Sequence, residues 1–184
     1  LIALILLILH SIKYRGKKYT IIFWILGYLI FLIREYFYQN LFVGYRFNND
    51  LLQILNVPIF IPFGWLYCAY ISQYISEYIM GHNITRDLKI QSTEKVSNSY
   101  FENKLMIVYL FSTVITAAIW ICIENTAIKM DWWGDPKVDG NYAYYNYMLG
   151  YMINTVWFLL LINAISYPKL RTKKTLFILL SIWT

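Results

Sequence analysis

LMIVYLFSTVITAAIWICI, residues Leu105 to Ile123, is the stretch whose reading decides the fold. It contains no charged residue, and a helix needs roughly 20 predominantly apolar residues to cross the hydrocarbon core of a bilayer. The residue that follows is Glu124. A carboxylate within a spanning helix costs on the order of 3 kcal/mol at mid-bilayer and less near the interface. Such a group therefore needs a partner, a wet cavity or a chemical role.

The rest of the chain repeats the pattern. Of its 184 residues, 59% are hydrophobic and only 14% charged, against about 25% charged in a soluble domain. Mean hydropathy is +0.48. Long apolar runs of this kind form helices rather than a barrel. The expectation is an all-α, polytopic transmembrane helix bundle, one domain over residues 1–184. Six segments are expected: Leu1–Ile12, Tyr19–Tyr38, Leu51–Met80, Leu105–Lys129, Tyr144–Ser166 and Thr175–Thr184. The first and last lie at the chain ends inside apolar runs and are expected to be clipped helices. The polar interval Gly81–Asn103 is long enough for a short surface helix.

Basic residues orient the bundle. Lys13, Arg15, Lys17 and Lys18 follow the first segment; Arg86, Lys89, Lys95 and Lys104 follow the third; Lys169, Arg171, Lys173 and Lys174 follow the fifth. The alternate connections hold only Arg46, Lys129 and Lys137. The positive-inside rule then places the three basic loops in the cytoplasm of a cell-membrane protein. It also accounts for the net charge of +6 without a nucleic-acid partner.

On that orientation the polar groups of the spans gather toward the outer face: Arg34 and Glu35, Asp50, Glu124 with Asn125, and Asn146. Two readings of Glu124 compete, a protonated acid in a low-dielectric site and an ion pair with Arg34. Because Arg34 and Glu35 are adjacent, they diverge by about 100° on a helix, so at most one is expected to face the fourth segment. Pro58 and Pro62, four residues apart in the third segment, are expected to kink a helix whose stripe continues through Trp65, Ala69 and Ser72. That stripe serves a cavity or plain packing. Asn146, Gly150 and Asn154 form a small and polar stripe suited to close contact or a pocket lining. Asp131, Trp132 and Trp133 fall in an outer loop, where the indoles fit the interfacial belt or a lid.

Other chemistries are not supported. His10 and His82 are the only histidines, too few for a histidine-rich iron site, and Cys68 and Cys122 have no metal-site spacing. No phosphate-binding loop or nucleophile elbow is present. No metal or cofactor is expected.

GYRFNNDLLQILNVPIFIPFGW (Gly44–Trp65) and ENTAIKMDWW with YYNYMLGY further on resemble the carotenoid biosynthesis membrane family that includes the carotenoid 1,2-hydratases. Gly44, Tyr45, Phe47, Val57, Pro58, Pro62 and Trp65 stand at the places of that family's aromatic segment and proline-containing helix. The second stretch is similar to its acidic helix end, tryptophan pair and closing tyrosine-rich run. The family usually has Asp where this chain has Glu124, and its closing motif ends in Trp where this chain has Tyr151. The matched motifs cover about a third of the chain. The P-x-E-E motif of the architecturally related lycopene cyclases is absent.

The resemblance implies a membrane enzyme that hydrates a terminal C=C of an isoprenoid or carotenoid substrate drawn from membrane lipid. Protonation by a carboxylic acid gives a tertiary cation, which an aromatic wall stabilises and water captures. On that implication Glu124 is the expected acid, with Asp131 or Glu35 as second carboxylate. Arg34, Asn125 and Asn146 are expected to position polar groups, and Tyr45, Pro58, Pro62, Trp65, Trp132 and Trp133 to shape the cavity. The alternative is a non-enzymatic lipid-binding or scaffold protein held by a buried ion-pair layer. A transporter would need the polar path to continue to the cytoplasmic face.

Overall fold

The computed structural model describes residues 2–41, 46–47, 52–83, 98–130, 133–134 and 142–167. The chain is helical. Helix α1 (Ile2–Arg15) is separated from α2 (Lys17–Ile21) by Gly16 alone. A π-helical turn (Ile22–Leu26) then joins α2 without a break to α3 (Gly27–Leu41). Helices α4 (Phe60–Ile79), α5 (Asn98–Lys129) and α6 (Tyr142–Ser166) follow among the described residues. Among the described residues, three stretches are long and apolar enough to cross a membrane: Lys17–Asn40, Asn103–Glu124 and Leu149–Ser166.

The boundary at Gly16 has a backbone cause. Its φ of 90° and ψ of 161° lie in a region open essentially to glycine alone. The chain turns there while helical bonding continues on both sides, Gly16 N–H donating to the Ile12 carbonyl and Thr20 N–H to the Gly16 carbonyl. Across the turn the Ser11 and Thr20 hydroxyls meet at 2.9 Å.

The expected third segment is corrected. Residues 52–59 are not helical: β2 (Gln53–Ile54) and β3 (Val57–Pro58) form a two-residue hairpin. At its tip Leu55 and Asn56 both have positive φ, 53° and 63°. Pro58 therefore ends a strand instead of kinking a helix. Pro62 is the third residue of α4, where the N–H groups have no intrahelical acceptor, so proline removes nothing there. The other expected helices are longer than read. The first runs to Arg15, the second over 17–41, the fourth begins at Asn98 and the fifth at Tyr142. The expected segment 175–184 and loop residues 84–97 lie outside the described residues.

Helix α4 is the centre of the bundle. It packs against α3 and α5, and α5 packs against α6. Its buried face runs Ile61, Pro62, Trp65, Leu66, Cys68, Ala69, Ser72, Gln73, Ser76 and Glu77. The first half of that face is apolar and joins a core with Phe23, Phe31, Phe158, Leu159 and Ile162. The second half is polar. Its hydroxyls are satisfied locally, Ser72 donating to the Cys68 carbonyl and Ser76 to the Ser72 carbonyl. Thr116 of α5 donates across the seam to the Ser72 hydroxyl at 2.7 Å. Small side chains satisfied this way let two helices approach closely without leaving a polar group bare in an apolar medium.

Two loops are tied together at the end of the bundle that holds the start of α4. Strand β1 (Arg46–Phe47), after α3, pairs antiparallel with β4 (Trp133–Gly134), between α5 and α6, with Phe47 opposite Trp133.

Candidate functional site

At that same end, four helices bring two carboxylates onto one group of aromatic rings. Glu35, in the third turn of α3, is fully buried. It accepts a hydrogen bond from Trp65 Nε1 at 2.9 Å and pairs with Arg34. Although they diverge on α3, Arg34 and Glu35 both reach Trp65 of α4. Arg34 bends back over the Trp65 ring, its guanidinium carbon 4.7 Å from the ring centroid, while Glu35 reaches the edge of the same indole. Arg34 Nε also donates to Asn154 Oδ1 of α6 at 3.2 Å. A long, planar cation suits this place because it can stack on an indole and hydrogen-bond at its rim together.

Glu124 belongs to the other side of the rings. It accepts a hydrogen bond from the Tyr151 hydroxyl. Tyr151 stacks on Trp120 at 5.2 Å and lies 5.2 Å from Trp65, which in turn is 4.7 Å from Trp120. Phe31 stacks on Trp65 at 5.2 Å. The sequence of contacts is thus Glu35, Trp65, Tyr151, Glu124: carboxylate, two aromatic rings, carboxylate. Trp120 Nε1 is buried here and has no hydrogen-bond partner among the described residues. An indole N–H is a donor only, so an acceptor brought into this cluster would find one waiting.

No protein-family model, curated protein or solved structure matches this chain.

The expected site residues divide clearly. Arg34, Glu35, Trp65 and Glu124 lie in the cluster. Pro62 is buried one helical turn before Trp65, and Pro58 is buried in the hairpin below it. Tyr45, Asp131 and Trp132 lie outside the described residues. So do the side chains of Asn125, Asn146 and Trp133, although their backbones belong to α5, α6 and β4. The expected stripe on α6 enters the site through Asn154, whose amide also donates to the Gly150 carbonyl at 2.6 Å.

Sequence reasoning missed Trp120, Tyr151 and Phe31 as members. A signal existed for the first: Trp120 precedes Glu124 by four residues, which puts both on one helical face. Tyr151 carried a second, since it stands where the resembling family has tryptophan. Phe31 had none, one apolar residue in a run of them.

A second buried polar cluster, at the opposite end of α4, was also not anticipated. Arg15, read as a loop charge, is buried and paired with Glu77, with side-chain exposures of 1% and 0%. Gln73 Nε2 donates to Glu77 at 3.0 Å, and Gln73 Oε1 accepts from the Tyr19 hydroxyl at 3.2 Å. Trp65 and Glu77 are twelve residues apart, so at about 1.5 Å per residue the two clusters are separated by roughly 18 Å along α4.

Proposed function

We propose that the chain is an integral membrane enzyme that adds water to a terminal C=C of an isoprenoid, of the carotenoid type, by carboxylic-acid protonation. The observation that carries this reading is the array of Glu35, Trp65, Tyr151 and Glu124 with the unpartnered Trp120 N–H beside it. An acid, an electron-rich wall and a donor able to hold a water are the requirements of that chemistry. The side chains of this array can supply all three.

Each residue then has a role. Glu35 is committed to Arg34 and Trp65 and supplies a fixed negative charge behind the indole. Glu124, hydrogen-bonded to a neutral phenol, is the proton donor. Its proton adds to the less substituted carbon of an isopropylidene group, leaving a tertiary cation against the faces of Trp65, Trp120 and Tyr151. Ring faces attract such a cation through their quadrupole, more strongly where water is excluded. The water oxygen then bonds to the cationic carbon, and the proton it releases returns to Glu124. The balance is one water added and no change in the enzyme.

On this reading the six-segment topology has its basic loops in the cytoplasm and the aromatic site toward the outer side. The substrate enters from lipid, and no cofactor is required. Trp120 and Phe31, which had no part in the resemblance, add to the aromatic wall that this chemistry needs.

The alternative, a non-enzymatic lipid-binding or scaffold protein, is favoured by one observation: the Arg34–Glu35 pair ties α3 to α4 and α6 without any substrate. Expression in a bacterium that accumulates lycopene separates the two. The enzyme yields pigment heavier by one water, and Glu124→Gln inserts normally but yields none. A wild-type chain that leaves the pigment unchanged favours the scaffold. Full product from the Glu124→Gln variant removes that residue from the mechanism.

A further inference from the structure

The seam between α3 and α6 opens toward the end of the bundle that holds Glu35 and Glu124. Helix α6 runs antiparallel to the rod of α2, the π-helical turn and α3, and it packs against the π-helical turn. At Phe158 the two are in close contact. A Cβ on Gly27 would stand 2.9 Å from the Phe158 ring, and the Phe31 and Phe158 ring centroids are 4.7 Å apart. One turn further along, at Asn154, the gap is crossed by the long side chain of Arg34, whose Nε donates to Asn154 Oδ1 at 3.2 Å. One more turn along, at Gly150, a Cβ would meet nothing within 4 Å among the described residues. Positions 150, 154 and 158 share one side of α6, so this succession of contacts describes two diverging helices.

The opening is half-buried at Gly150 and leads inward to the rings. Tyr151 follows Gly150 and holds Glu124, while Trp65 lies 5.2 Å from Tyr151 and 4.7 Å from the Arg34 guanidinium. Trp120 stacks on Tyr151, and its buried Nε1 has no hydrogen-bond partner among the described residues. The rim is apolar. Ile33 and Phe37 of α3 are 50% and 49% exposed, and Leu149 and Ile153 of α6 57% and 42%. An apolar mouth leading to a few convergent polar groups, set between the helices of a bundle, is the common form of a small-molecule site.

We propose that the α3–α6 cleft is a lateral binding groove for an extended apolar chain, and that Gly150 is the residue that keeps it open. Gly150 and Phe158 are eight residues apart, so the groove runs about 12 Å along α6. Two features select an apolar chain over an anionic headgroup. Arg34 is already paired with Glu35 and hydrogen-bonded to Asn154, so an added anion would compete with Glu35 for the same cation. The rim side chains also offer a headgroup no hydrogen bond. The identity of the guest as the isoprenoid substrate, with its reacting end at Glu124, rests on the reaction proposed above; the groove itself does not.

Nitroxide labels on the full chain in phosphatidylcholine nanodiscs test the groove, with lycopene as the probe. Cys122 is exposed and is replaced by alanine, whereas Cys68 is buried and stays. A label at Gly150→Cys lies in the groove, and one at Leu149→Cys faces outward. Added lycopene should cut oxygen collisions at position 150 severalfold and leave position 149 unchanged. No change at 150, or an equal fall at both positions, overturns the inference. Equal protection of 150 by phosphatidylglycerol without lycopene also overturns it, in favour of an anionic headgroup. Gly150→Leu, which fills the open space, should co-purify with severalfold less lycopene than the wild type, and equal amounts would refute the groove. None of these readouts needs turnover. Protection at 150 in a chain that leaves lycopene unhydrated overturns the reaction and keeps the groove, whereas hydration without protection does the reverse.

Discussion

Replacing Gly27 by alanine sets two effects of opposite sign against each other. Alanine is the better helix former by about 1 kcal/mol per residue, and Gly27 is the first residue of α3, inside a continuous helical rod. A Cβ built there, however, would lie 2.6 Å from Leu66 Cδ2 and 2.9 Å and 3.1 Å from two ring carbons of Phe158. Carbon atoms pack at about 3.5–4.0 Å, so the neighbours must retreat by roughly 1 Å. Neither has room. Leu66 and Phe158 are fully buried, and Phe158 is held against Phe23 and Phe31 with ring centroids 5.3 Å and 4.7 Å away. Overpacking of this kind costs about 1–3 kcal/mol, so the clash outweighs the helix gain. Gly27→Ala is expected to lower stability by up to about 2 kcal/mol net. Two internal controls come from the same chain. At Gly64 the nearest atom to a new Cβ is Trp120 Cη2 at 3.8 Å, and at Gly150 nothing lies within 4 Å. Both alanine variants should match or exceed the wild type. Reversible unfolding in mixed micelles measures all three. Gly27→Ala as stable as the wild type, or Gly64→Ala as damaging as Gly27→Ala, would refute the packing of α3 on α4 and α6 described above.

Arg15→Met and Glu77→Leu should each destabilise by about 3–5 kcal/mol, since each leaves a buried charge uncompensated. The double variant should lose much less than the sum, read from a double-mutant cycle of unfolding free energies; additive losses would mean the pair is not buried. Gly16→Ala should cost about 1–3 kcal/mol through backbone strain alone, because nothing lies within 4 Å of a Cβ there; the loss should appear in the same unfolding assay. Leu55→Asn should stabilise the hairpin by up to about 1 kcal/mol, because asparagine tolerates the left-handed conformation far better than leucine. Leu55 is 55% exposed, so little burial is lost, and a lower unfolding midpoint would contradict the turn geometry.

The helices themselves were readable because membrane-scale hydropathy is a local property, and the runs at 19–38, 105–129 and 144–166 sit inside observed helices. The error at 51–59 is instructive. Leu51–Ile61 is as apolar as a helix needs, yet two prolines and an Asn in left-handed geometry favour a hairpin followed by a helix start, a competition that hydropathy does not register. Arg15 misled for a related reason. A basic residue between apolar runs reads as a loop charge unless its acid is known, and Glu77 stands 62 residues away.

By itself, then, the chain's order of residues determined that it forms apolar helices, where most of them run, and that Glu35, Glu124, Arg34 and Trp65 were worth attention. Only the tertiary structure decided the partnerships. Glu35 meets Trp65 across 30 residues and Tyr151 meets Glu124 across 27. Such pairings depend on how α3, α4, α5 and α6 are rotated about their axes, and that rotation is set by summed packing over whole faces. No short stretch of sequence carries it. That same packing turned one isolated carboxylate after Ile123 into half of a paired, ring-lined site.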